Sequence, residues 1–298
     1  MLRTLFRRLL VALGAAVLLW IGLGQPHRSR PMHRATWVTD DSLRLRVLEA
    51  GHGDTTLVLL HGYGESLLAW RLVLDRLTRH YRVVALDLPG FGLSDKPDTR
   101  YDYPAYARWL GDFLTQHTQG PVVVVGHSMG GQIAAGLALD HPDRVVAAIL
   151  IDPAGAGINA LLTDTGGIAS PATHWVVSAI SFVLPVHDSV WLAEPADARD
   201  YEPAADSNTG RSARRVLEEF DFAALRGRFT ELKQPVLLIW GEQDPTIPFT
   251  IGEQIAEQLP CRRFVPLATL HRPHQTVPDT VVAEMEAFLA RPACGARE

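Results

Sequence analysis

The stretch that decides the fold is residues 122–135, which read VVVVGHSMGGQIAA. Four consecutive valines predict a short strand buried on both faces of a parallel sheet, because β-branched side chains are stiff and suit a pleated surface. Ile133 and Leu137, spaced four residues apart, indicate a helix directly afterwards. Ser128 lies between the two elements among glycines, which lack a Cβ and so tolerate a strained turn.

Residues 126–130 match the pattern Gly-x-Ser-x-Gly between a strand and a helix. In this context the motif resembles the nucleophile elbow of the α/β-hydrolase family. The resemblance implies an α/β fold with a mostly parallel sheet flanked by helices, a lid or cap insertion, and Ser128 as nucleophile. A serine nucleophile needs a base, an acid that orients the base, and donors for the developing oxyanion. The backbone N–H of Met129, at the start of the helix, is expected to be one such donor.

Length, charge and cysteine content limit which classes of protein this chain can belong to. The chain has 298 residues, of which 47% are hydrophobic and 20% charged, enough for one large α/β domain with an insertion. With a net charge of −5, the chain has no excess of basic residues that would attract a phosphate backbone, so we expect no nucleic-acid partner. Cys261 and Cys294 lack metal-ligand spacing, and no metal or organic cofactor is expected. The two thiols could form one disulfide in an oxidising compartment, but two separate cysteines are the preferred interpretation.

The first 34 residues differ from the rest of the chain. Three arginines precede an uncharged apolar run at residues 9–24, and His27, Arg28, Arg30 and Arg34 follow it. The run is shorter than the ~20 residues of a comfortable membrane span, but no Ala-x-Ala cleavage site stands out. We predict an uncleaved membrane anchor at residues 1–34 and an extracytoplasmic hydrolase domain at residues 35–298. A cleaved signal peptide, which would leave a secreted or periplasmic protein, is the alternative.

Strands and helices alternate along most of the chain. Alternating patterns predict an antiparallel hairpin at residues 36–39 and 43–47, and apolar runs predict strands at residues 56–60, 83–86, 144–151, 236–240 and 264–266. Helices are predicted at residues 67–77, 103–117, 251–259 and 281–289. About 80 residues separate the strand at residues 144–151 from the next, too many for a loop, so we predict a cap at about residues 154–230.

The cap contains an apolar block in its first half. Trp175 and Phe182 belong to this block, and they are the candidate substrate-binding residues. A cap helix packed on its neighbours is the preferred interpretation of the block; the alternative is that the block walls an acyl pocket and dips into a membrane surface, and the two interpretations overlap. Residues 197–212 are polar and contain proline and glycine, which favours a mobile segment.

Residues 61–64, HGYG, resemble the loop with which α/β-hydrolases supply their second oxyanion donor. The resemblance implies that the N–H of Tyr63 is this donor and that His61 fixes the loop. Residues 241–248, GEQDPTIP, resemble the acid loop of the family and imply Asp244 as the acid. The other carboxylates near strand ends, Asp152, Glu242 and Asp87, stay as alternatives.

Residues 270–278 read LHRPHQTVP, where the family usually shows Gly-His-x-Pro-x-x-Glu-x-Pro. The resemblance implies His271 as the general base, with His274 as the alternative. Leu270 and Thr276 replace the glycine and the acid of the pattern, while Pro273 and Pro278 keep its spacing.

Together, Ser128, Asp244 and His271 follow the chain order of the family. They imply a carboxylesterase or lipase that acts on a small-molecule ester or lipid with an apolar acyl group through an acyl-enzyme. The same triad would serve a carbon–carbon bond hydrolase of ring-cleavage products or a cofactor-free perhydrolase or haloperoxidase, and a ligand-binding receptor is a further alternative. A serine in the elbow argues against dehalogenases and epoxide hydrolases, which have aspartate there.

Overall fold

The structure, a computed structural model, describes residues 33–40, 43–158, 192–193 and 207–291. The strands in this part of the chain are β1 (His33–Asp40), β2 (Leu43–Ala50), β3 (Thr56–Leu60), β4 (Arg82–Leu86), β5 (Val122–His127), β6 (Val145–Ile151), β7 (Leu192–Ala193), β8 (Val236–Gly241) and β9 (Arg262–Leu267). The helices are α1 (Arg71–Leu77), α2 (Tyr103–His117), α3 (Met129–Asp140), α4 (Ser207–Glu219), α5 (Phe249–Gln258), α6 (Pro273–Thr276) and α7 (Pro278–Ala290), with 3₁₀ turns at Leu67–Trp70 and Phe229–Glu231.

These strands form one mostly parallel sheet in the order β7-β1-β2-β4-β3-β5-β6-β8-β9. β1 pairs antiparallel with β2, and β2 pairs antiparallel with β4. From β4 to β9 every neighbouring pair is parallel. The carboxyl ends of the parallel strands therefore lie at one edge of the sheet, where open α/β sheets place their functional loops.

Helices cover both faces of the sheet because its strands are apolar on both sides. Val122 and Val124 pack with α2 and α3 on one face. Val123 and Val125 point the opposite way and pack with α1 and α7. All four valines are at most 2% exposed, as the four-valine run predicts. The predicted α/β-hydrolase fold class, with helices on both faces of a mostly parallel sheet, is confirmed.

Two segments differ from the sequence predictions. The helix predicted at residues 67–77 is divided into a 3₁₀ turn at Leu67–Trp70 and α1. α4 begins at Ser207, inside the polar stretch predicted to be mobile. Burial of Val216 and the exposed Arg214–Glu218 pair at i,i+4 spacing both favour this helix.

Several predictions fall outside the described residues. These are the apolar run at residues 9–24, most of the predicted cap, and the side chains of Trp175 and Phe182. Among the helices of the described ranges, none combines the length and the apolar character needed to cross a membrane. The proposed boundaries of the anchor, hydrolase domain and cap therefore stay predictions.

The preferred interpretation of the cysteines is wrong for Cys261. This residue precedes β9, is 4% exposed, and is bonded in a disulfide. The chain contains one other cysteine, Cys294, which lies outside the described residues. Sequence could not decide this point, because two cysteines without a motif carry no information on pairing.

Candidate active site

Ser128 lies in a strained turn between β5 and α3, which we call the elbow (residues 126–130). Its backbone has φ 53° and ψ −119°, a conformation that few non-glycine residues adopt. A Cβ on Gly130 would lie 2.2 Å from the carbonyl oxygen of Leu60, and one on Gly126 would lie 2.2 Å from that of Gly130. The flanking glycines are therefore required by contacts of the packed backbone as well as by the turn.

The structure brings Ser128, His271 and Asp244 together. His271 Nε2 lies 3.0 Å from Ser128 Oγ, and His271 Nδ1 lies 2.6 Å from Asp244 Oδ2. The other carboxylate oxygen of Asp244 accepts hydrogen bonds from the N–H groups of Thr246 and Ile247 at 2.7 and 3.0 Å. The acid loop thus fixes the carboxylate, the carboxylate orients the imidazole, and the imidazole reaches the serine hydroxyl.

Burial sets the protonation of this imidazole. The side chain of His271 is 15% exposed, and burial lowers its pKa below the ordinary value of 6.5, although the hydrogen bond that His271 donates to Asp244 opposes that shift. A neutral imidazole bonded to a carboxylate through Nδ1 leaves Nε2 able to accept a proton. His271 is therefore ready to act as a base near neutral pH.

The loop at residues 61–64, which we call the oxyanion loop, is fixed by the side chain of His61. His61 Nδ1 lies 2.7 Å from the carbonyl oxygen of Gly62, and Nε2 accepts the N–H of Leu88 at 2.9 Å. The next residue along, Tyr63, packs its ring against Phe91. Neither the Tyr63 nor the Met129 amide donates to an acceptor in the described ranges, so both are available to a ligand.

Comparison with known proteins identifies the family. Residues 55–274 match the family model described as the alpha/beta hydrolase fold, which is more than half of the chain. The chain belongs to the α/β-hydrolase family.

Relatives of this α/β-hydrolase include enzymes of different activity. The 2-hydroxy-6-oxononadienedioate/2-hydroxy-6-oxononatrienedioate hydrolase of Escherichia coli O139:H28 is 30% identical over 71% of this chain and 78% of the relative. The pimeloyl-(acyl-carrier protein) methyl ester esterase of Vibrio vulnificus is 25% identical over 79% of this chain and 94% of the relative. A solved membrane phospholipase A, a bacterial virulence factor, shares the fold with a TM-score of 0.66, 24% identity and coverage of 98% and 99% of the two chains.

The competing acids of this hydrolase make other contacts. Asp152, at φ 42°, is buried and accepts the N–H of Gly241 at 2.7 Å. Burial raises the pKa of Asp152 well above its usual range, against the Gly241 hydrogen bond, and the charge of Asp244 adds to the rise. Asp87 pairs with Arg46 at 2.8 Å, and Glu242 is exposed. Among the described carboxylates, Asp244 alone bonds to His271.

The competing base is also placed elsewhere. His274 is fully buried between the rings of Trp70 and His127, with centroid distances of 4.8 and 4.5 Å. Burial lowers its pKa well below the usual range. No hydrogen bond connects its ring to Ser128 within the described residues. We call residues 270–276 the base loop. Although Leu270 and Thr276 depart from the family pattern, this loop places His271, and not His274, against Ser128.

Sequence reasoning missed Glu65, which follows the oxyanion loop. Its side chain is only 8% exposed, yet it contacts the N–H of Gly62, the ring of His127 and the guanidinium of Arg272. The available signal was an acid placed three residues after Gly62, directly before the apolar segment that starts at Leu67.

Two groups of side chains place potential metal ligands within 4.8 Å of one another: Glu65, His127 and His274, and His127, Asp152 and His271. In the first, Arg272 Nε lies 3.1 Å from Glu65, and its positive charge opposes a cation. In the second, His271 Nδ1 is already bonded to Asp244. We assign both groups to hydrogen bonding.

Proposed function

We propose that this protein is a serine hydrolase that cleaves carboxylic esters through an acyl-enzyme, with Ser128, His271 and Asp244 as its catalytic triad. The observation that carries the proposal is the continuous path from Asp244 Oδ2 through the His271 ring to Ser128 Oγ, with contacts of 2.6 and 3.0 Å, at a strained elbow. A nucleophile bonded to a base that a third group orients is the arrangement that acyl transfer requires.

In the proposed mechanism, His271 Nε2 takes the hydroxyl proton while Ser128 Oγ attacks the ester carbonyl. The N–H groups of Tyr63 and Met129 donate to the oxyanion that forms. His271 then returns the proton to the departing alcohol, leaving the acyl group on Ser128. Water, deprotonated by the same imidazole, attacks the acyl-enzyme and releases the carboxylic acid. Asp244 holds the imidazole tautomer and stabilises the imidazolium throughout.

Aromatic packing beside the oxyanion loop supports the proposal of an apolar acyl group. Tyr63 packs on Phe91, and its hydroxyl donates to the carbonyl oxygen of Ala213 on α4 at 3.1 Å. The oxyanion loop is thereby joined to a helix of the predicted cap insertion. The similarity to an esterase of Vibrio vulnificus also supports an ester substrate.

A carbon–carbon bond hydrolase is the second candidate, favoured by the Escherichia coli relative that hydrolyses 2-hydroxy-6-oxononadienedioate. The same three residues would serve such a reaction. Contacts at the triad do not separate the two reactions, because the difference lies in what the pocket recognises in the substrate.

Turnover assays separate these functions. We expect the purified protein to hydrolyse p-nitrophenyl esters with a burst of one nitrophenolate per enzyme when deacylation is slow, and Ser128→Ala to abolish turnover. The matched second substrate is a vinylogous 1,5-diketone ring-cleavage product, whose hydrolysis is measured by the loss of its absorbance. Turnover of the diketone with none of the esters would replace the proposal by the second candidate. Stoichiometric acylation without turnover of either would indicate a receptor.

We propose further that the enzyme acts outside the cytoplasm, attached to the membrane by residues 1–34. Three arginines ahead of the apolar run at residues 9–24 support the orientation. The disulfide at Cys261 supports an oxidising compartment, because disulfides persist there and are rare in the cytosol.

A further inference from the structure

The carboxylate of Glu65 lies below the triad, at a point where three loops meet. One oxygen accepts the N–H of Gly62 in the oxyanion loop at 3.0 Å and lies 3.2 Å from His127 Nδ1 in the elbow strand. Its other oxygen lies 3.1 Å from Arg272 Nε and 3.3 Å from Gln275 Nε2, both in the base loop. A single carboxylate thus contacts the oxyanion loop, the elbow and the base loop.

His127 extends this contact to the backbone of the base itself. Its Nε2 lies 2.7 Å from the carbonyl oxygen of His271, and its Nδ1 faces Glu65. Both partners are acceptors, so the imidazole must carry a hydrogen on each nitrogen to bond to both. The His127 ring thus joins the Glu65 carboxylate to the backbone of the base loop.

The electrostatics of the cluster agree with a charged carboxylate. Burial disfavours ionisation of Glu65, but His127, through its charge and hydrogen bond, and Arg272 hold the pKa of Glu65 well below its usual range. Trp70 and His274 close the apolar side of the cluster. Hydrogen bonds to an ionised group in such surroundings are stronger and more directional than neutral ones.

We propose that Glu65 is a positioning residue, which through His127 and Arg272 keeps the oxyanion loop, the elbow and the base loop in one arrangement. Its described polar contacts are with Gly62, His127, Arg272 and Gln275, and none is with Ser128 Oγ or the His271 ring. The proposal rests on the proposed function, because the position of the oxyanion loop relative to His271 matters only if both act on one substrate. A misplacement of about 1 Å at such a site costs up to ~100-fold in rate.

The test is Glu65→Gln, which keeps the size of the side chain and one acceptor for Gly62 but removes the charge facing His127 and Arg272. Active enzyme is counted by end-point labelling with a fluorophosphonate, and kcat is expressed per labelled site. We expect kcat to fall about 10- to 100-fold with KM changed less than about twofold, since transition-state positioning is affected more than ground-state binding. Affinity for a trifluoromethyl ketone, whose adduct mimics the tetrahedral intermediate, should fall by the same factor as kcat/KM.

His127→Asn tests the same linkage from its other end. We expect a similar loss of kcat per labelled site. The double variant should be no less active than the less active of the two single variants, since both changes break one linkage. The matched control is Asp87→Asn, which alters a buried carboxylate that also binds one arginine and two backbone N–H groups. It should lower Tm while leaving kcat per labelled site within about twofold.

Equal kcat per labelled site in Glu65→Gln, His127→Asn and wild type would overturn the proposal, whatever their stability, as would a rise in KM alone. Failure of the fluorophosphonate to label wild-type protein would instead overturn the proposed function, and this inference with it. If Glu65→Gln does not fold, His127→Asn decides the outcome.

Discussion

At the residue scale, hydrogen bonding and burial distinguish the roles of two carboxylates, those of Asp244 and Asp152. Asp244 accepts two backbone N–H bonds and contacts the His271 ring at 2.6 Å, so both of its carboxylate oxygens have partners. Asp152 is buried with one bonded oxygen, while its Oδ2 has no partner in the described part of the chain. Burial raises the pKa of Asp152 well above its usual range, which favours the uncharged form of this acid. A neutral carboxyl group cannot stabilise an imidazolium as a carboxylate does.

The two acids should therefore respond differently to amide substitution. Asp244→Asn should lower kcat by roughly two to four orders of magnitude, because it loses the charge and the imidazole tautomer. Asp152→Asn exchanges an acid that makes no hydrogen bond to His271 for an isosteric amide, and it should cost about tenfold or less. Steady-state kinetics on folded variants, with circular dichroism as the control for folding, measure both. If Asp152→Asn lowered kcat severely and Asp244→Asn lowered it only slightly, the assignment of Asp244 as the acid would be wrong.

The pH profile should report His271. The base must be neutral, so kcat/KM falls as pH drops through the pKa of His271, which burial lowers below 6.5. We expect the acid limb of the profile below pH 6.5. In Asp244→Asn the limb should move to still lower pH, since the carboxylate raises that pKa. A limb above pH 6.5 in wild type, or an upward shift in the variant, would contradict this assignment.

At the element scale, the elbow depends on close packing between β3 and α3. α3 starts so near the end of β3 that a Cβ on Gly130 would lie 2.2 Å from Leu60 O and 2.4 Å from His61 O. Both oxygens belong to the backbone, which cannot move as a flexible side chain can. The glycine thus allows the helix to place the Met129 N–H at the site.

Gly130→Ala should therefore lower the free energy of unfolding by about 2 kcal/mol or more, since overpacking a rigid contact costs 1–3 kcal/mol or above. The matched control is Gly210→Ala in α4, where no atom of the described residues beyond the neighbouring helix backbone lies within 4 Å of the added Cβ. That substitution should stabilise by about 0.5–1 kcal/mol, the helix-propensity gain of alanine over glycine. Urea unfolding gives both values. Equal effects would show that the clash at Gly130 is relieved at little cost.

The predicted cap makes a further element-scale prediction. Replacing Trp175 or Phe182 by alanine should lower kcat/KM for medium and long acyl esters more than for acetate, because a lost apolar contact is worth about 1–3 kcal/mol in discrimination. The comparison is made across p-nitrophenyl esters of increasing chain length. Equal losses at all lengths would show that the block is only structural.

At the scale of the whole molecule, parallel pairing collects the functional loops. Ser128 follows β5, Asp244 follows β8, and His271 follows β9. Since β5, β6, β8 and β9 are consecutive parallel neighbours in the sheet, their carboxyl ends lie at one edge. Residues 143 positions apart in the chain are thereby placed 3.0 Å apart.

The N-terminal segment should decide where this molecule is found. Full-length protein should sediment with membranes and resist a high-salt wash, because apolar anchoring is not screened by salt. A chain that starts at Ala35 should be soluble and should keep the proposed esterase activity, since Ser128, Asp244 and His271 all lie far along the sequence. Intact-mass analysis supplies the control. An N-terminus near Gln25 in the full-length protein would mean that a signal peptide is cleaved instead.

The sequence by itself determined the fold class and the residues at the ends of the strands. Local patterns sufficed for this, because a buried parallel strand must be apolar on both faces and an elbow must combine a strand, glycines and a helix. The four-valine run before Ser128 and the loops around Asp244 and His271 could all be recognised in isolation. Recognition of the last two rested on family resemblance rather than on physical necessity.

Only the tertiary structure decided which of several similar side chains meet. Asp152 and Asp244 both follow strands, and His271 and His274 share one loop, so sequence left each choice open. Packing resolved them, since His274 is enclosed between Trp70 and His127 whereas His271 reaches Ser128. The contacts of Glu65 were likewise hidden, because its partners Gly62, His127 and Arg272 come from three separate loops. Such contacts depend on distances across the folded chain, which no local pattern of residues encodes.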